Sequence, residues 1–65
     1  MIIEMISRFT GKLNMMDLPV TFEQLARWQE GELIQNVMSH LTADQREFLI
    51  SGTTPEEWDS VFGDA

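Results

Sequence analysis

The stretch "REFLISGTTPEEWDSVFG", residues 46–63, holds a helix end, a helix start and four acids within a few turns of chain. Gly52 can take the left-handed conformation that closes a helix at its C-terminus. Thr54 has the side chain of an N-cap, Pro55 follows at the first helical position, where a missing N–H costs nothing, and Glu57 stands where a capping box needs its acid. Trp58, Val61 and Phe62 then fall at i, i+3 and i+4, one face of a short helix expected to pin itself to a small core. Just upstream, Thr42 and Gln45 repeat the cap signal and open a helix that carries Phe48, Leu49 and Ile50 and stops at Gly52. These residues therefore predict two short helices joined by a tight turn.

The same signals organise the rest of the chain. In "ELIQNVMSHL", residues 32–41, Leu33, Ile34, Val37, Met38 and Leu41 recur at the spacing of an amphipathic helix, with His40 expected in its last turn. Thr21 and Gln24 form another capping box, opening a helix over about 22–30 with Phe22, Leu25, Ala26 and Trp28 on one face and Gly31 at its end. Before Pro19, "MIIEMISRFTGKLNMMDLPV" reads as a β-hairpin turning at Thr10-Gly11. With those two residues as the loop, Phe9 pairs with Lys12, Met5 with Met16 and Ile3 with Leu18. Ile3, Met5, Met16 and Leu18 then share one face, while Glu4, Ile6, Arg8, Leu13, Met15 and Asp17 share the other. An isolated two-stranded hairpin is marginal in water, so its apolar face must cover helices or meet another chain. The expected fold is α+β: an N-terminal β-hairpin (2–18) followed by three to four short α-helices (22–62), ββααα(α), in one small domain over 1–65.

At 65 residues the chain has little core to spare and, with no cysteine, no disulfide or thiolate metal site to supplement it. A hydrophobic fraction of 43%, with two Trp and four Phe, is that of a folding chain. Eleven Asp and Glu against four Lys and Arg give a net charge of −7, which opposes direct binding to nucleic acid or to an anionic membrane. No apolar run approaches the roughly 20 residues that span a bilayer, and the expected location is the cytosol. The charge is uneven: Glu47, Glu56, Glu57, Asp59 and Asp64 follow Arg46 with no base after it.

No enzymatic constellation emerges. His40 is the single imidazole and has no recognisable nucleophile or acid context, and no EF-hand or phosphate-loop pattern is present. The pair Glu56-Glu57, followed by Asp59, opens a helix, where first-turn acids favour its positive end, and adjacent acids point in different directions around it. The expectation is therefore a protein without catalytic residues, metal or cofactor. Trp28 and Trp58 are read first as core residues, and otherwise as anchors of a protein interface together with the acids Glu47, Glu56, Glu57 and Asp59.

The blocks "WQEGELIQNVM" and "LTADQREFLISGTTPEEWDSVFG", with "LPVT" before them, resemble a family of short, acidic, uncharacterised bacteriophage proteins. The similarity runs from Phe9 onward and leaves the first eight residues outside it. It implies a phage accessory protein with no assigned catalytic residues. The expected function is that of a non-enzymatic interaction module docking on a host or phage protein, such as an inhibitor of a host enzyme or defence complex, with imitation of DNA charge as its sharper version. The alternative is a structural or assembly component of a phage particle, in which the hairpin builds a homodimer.

Overall fold

The computed structural model describes residues 1–63; Asp64, the last acid of the one-sided run, lies outside the described residues. Two strands, β1 (Ile2–Ile6) and β2 (Leu13–Asp17), form an antiparallel hairpin, and four helices follow: α1 (Phe22–Gln29), α2 (Ile34–Val37), α3 (Ala43–Ser51) and α4 (Pro55–Phe62). The architecture is α+β, a hairpin followed by short helices. Thr21, Thr42 and Thr54 each close a complete capping box, with Gln24, Gln45 and Glu57 reaching back to the cap amides. These local devices supply the partners that the first backbone N–H groups of a helix lack.

The hairpin pairs Ile3 with Met16, Glu4 with Met15, Met5 with Asn14 and Ile6 with Leu13, a register two residues away from the expected one. Its connection is a four-residue loop over 8–11, closed by the Ser7 amide donating to the Lys12 carbonyl at 2.8 Å and the Gly11 amide donating to the Ser7 carbonyl at 3.0 Å. A two-residue Thr10-Gly11 loop of either primed type would need positive φ at its first central position, and a β-branched threonine resists that conformation. Only Gly11 in this loop has positive φ, at 73°. Ser7, buried, accepts from the Phe9 and Thr10 amides through its hydroxyl and so fixes the longer turn. Because the register moved by an even number, Ile3, Met5 and Met16 still share the inner face. Leu18 does not pair with Ile3; its amide reaches the Met1 carbonyl at 2.9 Å and its side chain enters the core.

That core consists of Leu18, Val20, Val37, Met38, Leu41, Phe48 and Leu49, with Ile3, Met5, Met16, Leu25, Trp28 and Ile34 packed around it. Trp28 thus fills part of the core edge, as its position in the apolar pattern of α1 suggests. Three expectations are corrected. The amphipathic segment 33–41 is helical only over Ile34–Val37; His40 lies in the following turn, where its Nε2–H donates to the Pro19 carbonyl at 2.6 Å. Apolar spacing brings Val37, Met38 and Leu41 inward as well through a turn as through a helix, so periodicity alone overstated its length. Phe22 faces solvent rather than the core. Trp58, Val61 and Phe62 are exposed too, and α4 contributes no buried side chain.

The C-terminus of α3 lies against β1. Gly52, at φ 77°, ends the helix, and a Cβ at this position would stand 2.5 Å from the Ile6 carbonyl oxygen. Glycine is therefore required both by the backbone angle and by the approach of the strand. The Arg8 amide donates to the Ser51 carbonyl at 2.9 Å across the same seam.

Candidate functional site

Alpha4 runs from a short turn, Gly52 to Thr54, beside the hairpin loop. What holds it there is Glu57. Its carboxylate accepts from the Thr10 hydroxyl at 2.6 Å and from the Asn14 side-chain amide at 2.8 Å, while also serving the Thr54 amide at 3.4 Å. The Asn14 amide donates in addition to the Gly52 carbonyl at 2.9 Å, so one side chain of β2 ties both ends of the turn. The hydrogen bond from Thr10, aided by donors at Ser7, Asn14 and Thr54, holds the Glu57 carboxyl below the usual carboxylate range. A single acid of the capping box is thereby the latch between hairpin and last helix.

The latch brings three aromatic rings together. Phe9 of the hairpin loop lies 5.7 Å from Trp58 and 5.2 Å from Phe62, and the two α4 rings are 4.8 Å apart. Such tilted and edge-to-face contacts are favourable geometries for aromatic rings. Yet Phe9, Trp58 and Phe62 remain 43%, 43% and 54% exposed, an apolar patch outside the core. Glu56 and Asp59, both exposed, flank Trp58 in sequence on the same helix.

On its other side Trp58 borders a cleft of about 260 Å³ between α3 and α4, lined by Ala43, Asp44 and Glu47, by Thr53 and Thr54 of the turn, and by Pro55. Thr53 is buried and shares a 2.8 Å hydrogen bond with Ser51, whose hydroxyl donates to the Glu47 carbonyl at 3.0 Å. Every buried side-chain polar atom among the described residues has a partner. Among the same residues no group of three or more His, Asp or Glu side chains is placed to hold a metal ion, and no helix is long and apolar enough to cross a membrane.

Of the six residues singled out in the sequence, Glu47, Glu56, Asp59 and Trp58 fall on or beside the α3–α4 surface. Trp28 belongs to the core edge, and Glu57 is occupied by the latch rather than free. Phe9, Thr10 and Asn14 were not expected there. Asn14 carried a signal in principle, as the polar member of the inner hairpin row with Ile3, Met5 and Met16; nothing local marks Thr10 or Phe9. No family model, curated protein or solved structure matches this chain.

Proposed function

We propose that this protein is a non-enzymatic interaction module that docks on another protein through the aromatic patch of Phe9, Trp58 and Phe62 and the acids beside it. The observation that supports the reading is the patch itself: three rings packed on one another and half exposed, Phe9 from the hairpin loop and Trp58 and Phe62 from a helix that buries nothing in the core. Large aromatic side chains set among charged residues are the usual anchors of protein interfaces. Net charge −7 favours a partner with a basic surface and speeds its encounter. The resemblance to short acidic phage proteins directs the search to the cytosol of an infected bacterium, with a host or phage protein as the partner and inhibition as its consequence. In the DNA-imitating version, Glu47, Glu56 and Asp59 carry the charge, since Glu57 is engaged within the fold.

The test is affinity capture from infected-cell lysate with the native chain beside Trp58→Ala and the pair Glu56→Lys, Asp59→Lys. Because these side chains lie outside the core, each variant should keep the hairpin and the core helices, with a loss of circular dichroism signal no larger than that of α4. A partner retained by the native chain and lost from Trp58→Ala supports the reading, and one lost from the lysine pair as well supports its acidic version. Partners that bind all variants equally, or no partner at low salt, count against it. The structural alternative, a particle or assembly component, draws on the hairpin's outer face.

A further inference from the structure

The cleft between α3 and α4 gathers hydrogen-bond acceptors beside an indole. Asp44 and Glu47 stand three residues apart on α3, hence on one face of the helix, and both line the cleft together with Trp58 of α4. Among the described residues neither carboxylate is in an ion pair, and Arg46, the base between them in sequence, borders a second hollow with Ile34 and Ile50 instead. Thr53, buried in the turn, adds an acceptor. The single proton of the Ser51 hydroxyl goes to the Glu47 carbonyl at 3.0 Å, so Thr53 is the donor of the 2.8 Å bond that joins the two hydroxyls. What the Thr53 oxygen has left is acceptor capacity alone.

We infer that this cleft takes an arginine side chain of the partner protein. The inference rests on the docking reading above and names the group that the partner supplies. At about 260 Å³ the cleft is smaller than the roughly 300–1,000 Å³ of sites that enclose small molecules, and it suits a single side chain. A guanidinium matches its walls: five N–H donors and no acceptor, a charge that pH does not remove, and a flat face that stacks on an indole while its edge reaches carboxylates. An ammonium brings the charge without the plane and holds its water more tightly. An anion meets two carboxylates and is repelled. No third acid or histidine joins those two among the described residues, so a metal ion lacks its ligands. Trp58 then serves two contacts, with Phe9 and Phe62 on one side and the incoming side chain on the other.

The probe is acetyl-argininamide, titrated into the full chain and followed by two-dimensional amide NMR, with its lysine and citrulline analogues beside it. Binding is expected with a dissociation constant on the order of 1 mM, shifting the Trp58 indole and the amides of Asp44, Glu47 and Thr53. The lysine analogue should bind about fivefold more weakly, and the citrulline analogue, which keeps the shape and loses the charge, at least about tenfold more weakly. The pair Asp44→Asn, Glu47→Gln should abolish binding. The pair Glu56→Gln, Asp59→Asn removes the same charge outside the cleft and should leave the affinity within about twofold. Both pairs keep the core, and the spectrum itself reports whether the fold is retained. A lysine or citrulline analogue that binds as tightly as the arginine one, equal losses from the two acid pairs, or no shift at about 20 mM probe would each overturn the inference. The titration needs no partner: a cleft that takes no arginine strikes this inference alone, while a captured partner lost from Trp58→Ala still upholds the docking reading.

Discussion

Glu57 shows how one residue can serve two levels of structure. As the third residue of a capping box it satisfies the N-cap amide of α4, and as an acceptor for Thr10 and Asn14 it anchors that helix to a hairpin more than forty positions away. The sign of its titration follows from the depressed folded-state value. The charged form is favoured in the folded chain, so its contribution is present in full above the ordinary carboxyl value of 4.5 and is lost as pH falls through the lower folded value. Glu57→Gln keeps a cap-competent side chain, as Gln24 and Gln45 illustrate, but removes the charge. The variant should be less stable than the native chain at pH 7, with the difference narrowing below pH 4.5. Urea titrations at pH 7 and pH 3 measure this; a constant difference at both pH values would contradict it. Glu32, also held low by its two-point pairing with Arg27, leaves some acid dependence in the variant, although an exposed pair contributes little.

Alpha3 and α4 share the same opening device and differ in what they bury. Alpha3 delivers Phe48 and Leu49 to the core, whereas α4 delivers nothing and is held by the Glu57 latch and the aromatic contacts. Local opening should follow that difference. Amides of α4 are expected to exchange through an opening cheaper than global unfolding, and those of α3 close to the global limit. Thr42→Ala should then cost the whole fold about 1 kcal/mol, the usual loss for a threonine cap, while Thr54→Ala acts mainly on α4 and lowers global stability less. Native-state hydrogen exchange with denaturant titration checks both; equal protection of the two helices would show that the latch couples α4 fully to the core. The hairpin gives a related lesson: its faces followed from alternation, whereas its register depended on a turn that Ser7 closes from inside.

A molecule this small rests on very few side chains. Phe48, Met38 and Leu18 are the largest of those fully buried. At about 0.05–0.15 kcal/mol per residue, a chain of 65 residues is stable by about 3–10 kcal/mol. Phe48→Ala removes about 3–5 kcal/mol by lost transfer energy and the cavity left behind, a large share of that total. The variant is expected to be substantially unfolded at 25 °C, or to melt far below the native chain, by circular dichroism and urea titration. Phe62→Ala, of the same chemistry but on the exposed patch, should cost much less, and the contrast separates residues that hold the fold from those available to a partner.

The order of elements, the three helix starts, the stop at Gly52 and the two faces of the hairpin were legible in the sequence because the interactions responsible join residues three or four apart, or alternate along a strand. The loop length, the shortening of α2, the outward turn of Trp58 and the occupation of Glu57 were not. The loop length turns on Ser7, whose hydroxyl holds the Phe9 and Thr10 amides, while the outward turn of Trp58 and the occupation of Glu57 depend on partners brought close by docking: Phe9 against α4, and Thr10 and Asn14 against Glu57. Local chemistry chose where helices begin and end; long-range packing chose which acids and aromatics stayed free at the surface.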